Sequence, residues 1–361
     1  MSVHCSDEDA REAWEIVRRA PSRNAAALSS GIPRNTLASR VEIAMKRFGL
    51  PDPQSASAKP SPFRANPIPD KARSIDDLIK HRLAESKRAR EYEDFIKLIT
   101  VKIDTPGPIG LMIFGDPHVD NPGCDFALLK SHLEIAAKRP EYIFAGNIGD
   151  LRDNWIGRLE RLYAETTVSA KETWRLVEWM MRDAGVRWTW LVRGNHDAWA
   201  GINDPLSWIA KGAGVGVDQD AGVRISFRHP SGVETRLHAR HDFRGNSQFN
   251  PLHALKKETL HGYRDHVIVA GHRHIGADAG DVNGDGSAFQ MVRVSGYKVS
   301  DSYRQTIGAQ AKPIHPAAMI IIDPDEPDSS RARAWCAPTV EEGAAYLDWK
   351  RKEWKANRRR A

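Results

Sequence analysis

The sequence predicts an α/β core preceded by a small all-helical domain. Strands and helices alternate from about residue 99, whereas the first 50 residues contain helical patterns only. A proline-rich stretch separates the two regions. With 361 residues, of which 41% are hydrophobic, the chain is long enough to bury one large core and to carry a small extra domain.

Residues 1–50 form the helical domain. "DEDAREAWEIVRRA" begins with acidic residues and ends before Pro21, as a helix should. A short Ala-rich helix, a turn at Ser30 and Gly31 and a further helix from near Pro33 follow. This pattern resembles the helix-turn-helix domains of bacterial and phage regulators, whose second helix enters the major groove. A module for packing or protein contacts is the alternative. The predicted DNA contacts are Arg34, Asn35, Thr36 and Arg40.

Two segments connect this domain to the core. Residues 51–73 form a semi-rigid linker, because residues 51–70 hold six prolines and no periodicity. Residues 74–98 predict a charged connecting helix that leans on the next domain. Its expected buried side consists of Leu78, Ile79, Leu83, Phe95 and Leu98.

Residues 99–330 are expected to form the α/β domain. Apolar runs bounded by glycine and polar residues predict its strands, and longer periodic stretches predict its helices. The strands are expected at 110–114, 142–145, 188–192, 223–227, 235–240, 267–270, 289–294 and 318–322, and helices near 125–138 and 169–184. Active groups of α/β proteins lie at the carboxyl ends of such strands.

Polar motifs stand at these strand ends. Two side chains that are two residues apart beyond a strand point the same way, so each such pair presents two ligands to one cavity. The motifs are "GDPHVD" with Asp116 and His118, "LVRGNHD" with Asn195, His196 and Asp197, "HARHDFRG" with His241, and "VAGHRHIG" with His272 and His274. Imidazoles with carboxylate or amide oxygens suit Mn, Fe, Zn or Ni. So many ligands imply two ions, and three scattered cysteines argue against a thiolate site.

In this order, the motifs resemble those of the calcineurin-like metallophosphoesterase superfamily: D-x-H, G-D-x-x-D, G-N-H-[DE], a single His and G-H-x-H. The resemblance covers residues 108–325 and implies a two-sheet α/β/β/α sandwich that binds two divalent ions, Mn above all. It assigns one ion to Asp116, His118 and His274. It assigns the other ion to Asn195, His241 and His272, with the Asp of the second motif between the two ions.

The second motif can be placed in two registers in "EYIFAGNIGDLRDNW". "GDLRD" matches by letters with Asp150, and "GNIGD" matches with Asn147 in place of the Asp. We expect Asn147 to be the central ligand, because Asp150 lies further beyond the strand. An amide bridges two dications poorly, so this choice predicts weak metal binding and slow chemistry. It also suggests an engineered substrate-trapping variant, with a natural departure as the alternative.

The resemblance implies hydrolysis of a phosphoester by a hydroxide held between the two ions. His196 would protonate the leaving oxygen or stabilise its charge, and Asp197 would orient His196. A turn or a helix cap is the alternative role of Asp197. Arg152 and Asn154 are candidates for contacts with phosphate, with a solvated loop as the alternative.

The net charge of +6 is concentrated in residues 349–361, where seven basic residues stand against one acidic residue. The basic tail, residues 331–361, with Trp349 and Trp354, is therefore expected to bind a phosphate backbone or to be a solvated terminus. The predicted function is a DNA-cleaving phosphodiesterase. Alternatives are a phosphatase or phosphodiesterase of nucleotides or phosphoproteins, and a DNA-binding regulator with an inactive core.

The location in the cell follows from what the sequence lacks. The first residues show no signal-peptide pattern, and no apolar segment approaches the roughly 18 residues that span a bilayer, so a cytoplasmic protein without membrane partners is expected. A homodimer is left open, since helix-turn-helix units often work in pairs.

Overall fold

The computed structural model describes residues 5–55, 72–199, 204–299 and 315–360. The chain divides into two compact units, Met1–Leu78 and Ile79–Ala361. Most of the predicted linker, residues 56–71, lies outside the described residues. Within the described parts, no helix has the length and apolar character needed to cross a membrane.

The first unit contains three helices where the sequence predicts them. They are α1 (Asp7–Arg19), α2 (Arg23–Ser30) and α3 (Arg34–Phe48). Ser6 and Asp9 form a capping box at α1, and α2 ends at Gly31, whose φ of 69° favours glycine. The three helices share a small apolar core of Ala13, Val17, Ala26, Leu37 and Val41.

The candidate DNA contacts lie in the first two turns of α3. Arg34 and Asn35 are exposed, whereas Thr36 and Arg40 are half-buried. Nη1 of Arg40 lies 3.5 Å from Oδ1 of Asp9 on α1. Arg40 therefore has a partner within the unit, and Arg34 and Asn35 are the more accessible of the four.

Helix α4 (Ile75–Ile96) forms as predicted, but its expected buried side is wrong. No residue of α4 is buried, and Leu83 and Phe95 are 65% and 67% exposed. Twelve residues correspond to a rotation of about 120° around a helix, so these two side chains lie on different faces. The apolar residues do not form one continuous stripe.

Two six-stranded sheets form the core of the second unit. One has the order β1-β6-β7-β8-β10-β9 and the other β12-β11-β2-β3-β4-β5. The strands are β1 Ile99–Lys102, β2 Ile109–Phe114, β3 Ile143–Asn147, β4 Trp188–Val192, β5 Val217–Gln219, β6 Gly222–Arg228, β7 Glu234–Arg240, β8 Val267–Ala270, β9 Ala277–Val282, β10 Ala288–Arg293, β11 Ala317–Ile322 and β12 Ala334–Cys336. All eight predicted strands are present, and β1, β5, β9 and β12 are additional.

The alternation of side chains along the strands produces the layers. Leu111 and Ile113 of β2 pack with Val267 and Val269 of β8 between the sheets, while Met112 and Phe114 face the helices on the other side. These helices include α5 (Phe126–Ala137) and α6 (Ala170–Glu178), followed by α7 (Asn195–Ala198) and α8 (Leu206–Gly212). Helix α9 (His253–His261) packs on the first sheet. The predicted α/β/β/α sandwich is confirmed.

The segment predicted as a basic tail contributes to this sandwich. It adds β12 and the long helix α10 (Val340–Arg360), which packs on β11 and β2. Arg139 pairs with Asp348 at 2.8 Å, and Nε1 of Trp354 donates to Asp325 at 2.8 Å. A Cβ on Gly107 would come within 2.7 Å of the Trp354 ring, so the indole lies directly on the backbone there. Trp354 thus has a packing role.

Candidate metal centre

The candidate site lies where the two sheets meet, at the carboxyl ends of β2, β3 and β4 of one sheet and of β7 and β8 of the other. Strands β2, β3 and β4 are parallel neighbours, as are β7 and β8. The loops that follow parallel strands emerge at the same edge of a sheet. Motifs that are far apart in sequence are therefore brought together.

The first ligand group consists of Asp116, His118 and His274, whose ligand atoms all lie within 4.8 Å of one another. Oδ2 of Asp116 is 3.6 Å from Nε2 of His274 and accepts a hydrogen bond from the backbone N–H of His272 at 2.9 Å. The rings of His118 and His274 stack with centroids 5.3 Å apart. The structure brings together the three residues that the sequence assigns to one ion.

The second group surrounds Nε2 of His241. Asn195 Oδ1 and His272 Nδ1 each lie 3.1 Å from this atom, and Asp150 Oδ2 lies 3.2 Å from it. Nδ1 of His241 donates a hydrogen bond to the carbonyl oxygen of Ile148 at 2.8 Å. Nε2 is then the ring atom that faces the three neighbouring polar atoms, an arrangement that a divalent cation would stabilise. Carboxylate, amide and imidazole ligands fit such an ion.

The carboxylate in this group is Asp150, where we predicted Asn147. Both side chains are fully buried. Asn147 is the last residue of β3, and its Oδ1 accepts a hydrogen bond from the backbone N–H of Gly149 at 2.8 Å. The literal "GDLRD" register therefore supplies the carboxylate beside His241, and the role of Asn147 as the central ligand stays a prediction.

The loop after β3 explains why the expected register differs from the observed one. Gly149 has a φ of 110° and Asp150 a φ of 50°, so the chain turns back toward the strand end. A Cβ on Gly149 would lie 2.3 Å from the backbone nitrogen of Gly194. Only glycine allows this approach of the two loops, and the approach brings Asp150 beside Asn195.

Left-handed backbone conformations concentrate at the ligands. Non-glycine residues rarely adopt positive φ, and each one costs of order 1–3 kcal/mol unless the surroundings enforce it. His118, Asp150, His272 and His274 have φ values between 43° and 67°. The fold therefore holds these four side chains in place at the expense of local backbone strain, as is common in functional sites.

A buried carboxylate orients the first-group histidine. Oδ1 of Asp153 lies 2.8 Å from Nδ1 of His118, and Oδ2 accepts a hydrogen bond from Asn121 at 2.6 Å. Nζ of Lys298 is 3.5 Å from the same Oδ1 of Asp153. With Nδ1 occupied, His118 has Nε2 available for an ion. The sequence motifs gave no role to Lys298.

His196 lies beside the ligands without belonging to either group. Its backbone N–H donates to Asp150 Oδ1 at 2.9 Å, and its Nδ1 contacts the carbonyl oxygen of Asp153. The indoles of Trp155 and Trp199 flank the ring, with centroids 4.9 and 4.4 Å away. Burial, and next the neighbouring His118, lower the pKa of His196 to about 4.

The carboxylate of Asp197, which we predicted to orient His196, bonds to backbone N–H groups. Its Oδ2 accepts backbone N–H groups of Gly194 and Asp150 at 2.9 and 2.7 Å, and its Oδ1 accepts that of Leu151 at 3.2 Å. The carboxylate thus ties the loop after β4 to the loop after β3. The alternative interpretation, a turn and cap residue, describes this geometry.

The two candidate phosphate contacts have other partners. The guanidinium of Arg152 is buried and lies 4.2 Å from the centroid of the Trp174 ring. Asn154 donates through Nδ2 to the carbonyl oxygen of His196 at 2.7 Å. Arg152 therefore stacks on an aromatic ring, and Asn154 supports the His196 loop.

Charge in the site is redistributed by burial. Burial raises the pKa of Asp116 to about 7, although the charge of His241 acts in the opposite direction. Burial alone would lower the pKa of His241, but the charge and the hydrogen bond of Asp150, and then the charge of Asp116, raise it to about 10. A proton on His241 therefore supplies positive charge that an ion would otherwise supply.

The structure places the motifs that resemble those of the calcineurin-like metallophosphoesterases at the strand ends of a two-sheet sandwich. No family model matches the sequence, and no curated protein does. Among solved structures, a predicted phosphoesterase from Streptococcus pneumoniae is 12% identical to this chain, with a TM-score of 0.29. The alignment covers 65% of this chain and 100% of the phosphoesterase.

Two further solved structures are similarly remote. Vps29 from Entamoeba histolytica, complexed with zinc, is 11% identical with a TM-score of 0.32, over 63% of this chain and 97% of its own. A Haemophilus influenzae NAD nucleotidase is 10% identical with a TM-score of 0.34, over 70% of this chain and 60% of its own. The assignments below therefore rest on the side chains of the site.

Proposed function

We propose that the protein is a phosphoester hydrolase that uses two divalent ions. The observation that carries the proposal is the convergence of Asp150, Asn195 and His272 on Nε2 of His241, within 3.2 Å. Asp150 and His241 are buried, and Asn195 and His272 are half-buried. Nε2 of His241 can donate to only one of its three neighbours at a time, so a cation would satisfy this group better. The neighbouring group of Asp116, His118 and His274 offers a second such point.

The ligand assignments follow from these contacts. The first ion would bind Asp116, His118 and His274, and the second would bind Asn195, His241 and His272. Asp150, whose Oδ2 lies 3.2 Å from Nε2 of His241, would join the second group, and its negative charge would also act on Asp116 and His118 of the first. The mixed nitrogen and oxygen ligands suit Mn, with Fe, Zn and Ni as alternatives.

When bound, the two ions supply the activation of water and of the phosphoryl group that hydrolysis requires. The protein's own contribution includes a proton donor. His196 holds one proton at Nδ1 against the Asp153 carbonyl, which leaves Nε2 for the leaving oxygen. A phosphate anion close to Nε2 would raise the pKa of His196 from about 4 and favour its protonated form. His196 is therefore proposed as the general acid.

DNA is the proposed substrate. Support comes from a sequence pI of about 9.2, from the exposed Arg34 and Asn35 at the start of α3, and from the exposed Lys352 and Lys355 on α10. Basic side chains of this kind bind phosphate backbones and make binding dependent on salt. A phosphodiesterase core with such surfaces would cut DNA that these surfaces hold.

The test is Mn²⁺-dependent cleavage of end-labelled linear DNA, closed circular DNA and an aryl phosphodiester, with Asp150→Asn as the inactive control. We expect the unchanged protein to cleave DNA and Asp150→Asn not to cleave it. The circular substrate shows whether cleavage requires a DNA end. Hydrolysis of the aryl ester without DNA cleavage would retain the phosphoesterase and reject DNA. Failure on all three substrates with fully loaded protein would reject the phosphoesterase itself.

A further inference from the structure

Arg273 lies between two of the candidate metal ligands in the sequence. It stands between His272 and His274 on the loop after β8, and both neighbours have left-handed φ angles of 67° and 51°. This backbone directs the two histidines toward the ligand groups. The side chain of Arg273 remains 50% exposed, at the rim of the same site.

The guanidinium of Arg273 is oriented by a single contact. Its Nε donates to Oδ2 of Asp242 at 3.1 Å, and Asp242 directly follows the ligand His241. Across the described residues, the two terminal nitrogens of Arg273 have no hydrogen-bond partner. A guanidinium held through Nε presents its two remaining nitrogens as a fork, which matches two oxygens of a phosphate.

The charge around this fork is not balanced. Asp242 also accepts a hydrogen bond from Nη1 of the buried Arg293 at 3.2 Å, so one carboxylate faces two guanidinium groups. Asn246 and the backbone N–H of Phe243 donate to Asp242 as well, at 2.9 and 3.0 Å. Asp242 would stay in place if Arg273 turned toward a ligand, and one positive charge is left for an anion.

We propose that Arg273 binds a second phosphate of the substrate, beside the one that is hydrolysed; this rests on the proposed phosphoesterase activity. The ligand class is a molecule with at least two phosphates, either a polynucleotide or a nucleoside diphosphate. An ester with a single phosphate has no second phosphate to offer the fork when the first one is hydrolysed. Arg273 thereby discriminates among substrates without acting on the reacting phosphate.

The first test uses activity. Arg273→Gln removes the fork and the charge, and we expect kcat/KM to fall about tenfold for a thymidine oligonucleotide, which corresponds to about 1.4 kcal/mol. The rate with bis(p-nitrophenyl) phosphate, which has one phosphate, should fall much less than the rate with the oligonucleotide. The matched control is Arg228→Gln. Arg228 is also 50% exposed and contacts one carboxylate, that of Glu234. It lies beside the start of β7, at the other end of that strand from His241.

The second test needs no activity. Binding of the labelled oligonucleotide is measured against salt concentration in EDTA, where the protein cannot turn over its substrate. Loss of one phosphate contact should reduce the slope of log K against log salt by about 0.7 for a single strand. Arg228→Gln should keep the slope of the unchanged protein.

The outcomes separate this proposal from the proposed function. Equal losses on the oligonucleotide and on the single-phosphate ester would overturn it, since Arg273 would then act on the reacting phosphate or through His272 and His274. An unchanged slope with unchanged rates would also overturn it. If Arg273→Gln slows hydrolysis of a nucleoside diphosphate but not of the oligonucleotide, the proposal is supported, and the second phosphate belongs to a small nucleotide. If no ester is hydrolysed, the proposed function fails. The dependence of oligonucleotide binding on salt in EDTA still shows whether Arg273 contacts a phosphate.

Discussion

Oδ2 of Asp150 lies 3.2 Å from Nε2 of His241, and this contact joins a loop of one sheet to a strand end of the other. Burial would raise the pKa of the Asp150 carboxyl, but His241, through its charge and its hydrogen bond, lowers it overall. The carboxylate is therefore ionised at neutral pH and supplies the negative charge that two dications need. Asn147, three residues earlier, carries no charge and bonds to its own loop.

The first prediction concerns Asp150. In Asp150→Asn, the ligand set of both ions loses its shared negative charge, and we expect metal affinity and phosphoester hydrolysis to fall by about 100-fold or more. Substitutions one step further from an ion already cost roughly 10–100-fold. Calorimetric titration with Mn²⁺ and hydrolysis of an aryl phosphodiester would measure both effects. Retention of two tightly bound ions in Asp150→Asn would contradict the assignment.

Asn147→Asp is the matched control for this change. It adds a carboxylate to a buried position where, among the described residues, the N–H of Gly149 is the one hydrogen-bond donor to the side-chain oxygen. We expect no gain in metal content or activity, and a lower melting temperature, because a buried carboxylate with one donor is poorly stabilised. A large gain in activity would instead restore the interpretation of Asn147 as a replaced ligand.

Much of the fold and most of the site could be predicted from the sequence. Strands β4 and β8 begin and end at the predicted residues, because each is an apolar run bounded by polar or glycine residues. The structure brings six of the seven predicted ligands into the two groups because parallel strand ends converge, a rule that requires only the order of the motifs. The seventh, Asn147, bonds within its own loop, and a strand end does not reveal that this loop turns back and brings Asp150 beside His241.

The remaining differences depend on tertiary contacts. Asp197 binds backbone N–H groups of a loop more than 40 residues away, and local sequence gives no sign of that meeting. Helix α10 did have local signals, since Glu341 and Glu342 lie in its first turn and Val340, Ala344 and Leu347 repeat at helical spacing. The basic composition of the segment obscured this periodicity.

The second prediction concerns the buried partner of a ligand. Asp153→Asn removes the carboxylate that fixes His118, and we expect the affinity of the first ion site to fall roughly 10–100-fold while the second site changes less. Two-site Mn²⁺ titration would resolve the difference. Asp348→Asn, which changes a carboxylate paired with Arg139 instead, is the control and should not affect either site.

The third prediction separates packing from DNA contact at the C-terminal helix. Trp354→Ala removes an indole that lies on Gly107 and bonds to Asp325, so we expect a loss of about 1–3 kcal/mol in the free energy of unfolding. Trp349→Ala, at a 55% exposed position, should change stability by no more than about 0.5 kcal/mol. Denaturant titrations would compare the two. Equal stabilities with a selective loss of DNA binding in Trp354→Ala would favour base stacking.

The fourth prediction concerns stability at acidic pH. Burial, and next the charge of Arg333, lower the pKa of His229 to about 4, below its usual value of 6.5. Between these two pH values the unfolded chain binds a proton that the folded chain does not, so stability falls as the pH drops through this window. At pH 5 the loss from His229 is on the order of 1–2 kcal/mol.

His229→Gln tests this because glutamine keeps a polar side chain near Thr235, which His229 contacts at 3.2 Å, but does not titrate. Urea unfolding in EDTA at pH 7 and pH 5 should show a smaller pH dependence for His229→Gln than for the unchanged protein. The same difference between the two proteins at both pH values would show that His229 does not bind its proton differently in the folded state.

The fifth prediction concerns the amino-terminal unit. Arg34 is exposed in the first turn of α3, whereas Arg40 lies 3.5 Å from Asp9 and is half-buried. If α3 contacts DNA, Arg34→Ala in the full chain should weaken duplex binding and reduce the salt slope by about 0.9, the value for one phosphate contact. Arg40→Ala should mainly lower the melting temperature of this unit, since it breaks the contact between α1 and α3. Unchanged DNA binding in Arg34→Ala together with Asn35→Ala would assign this unit to packing or protein contacts.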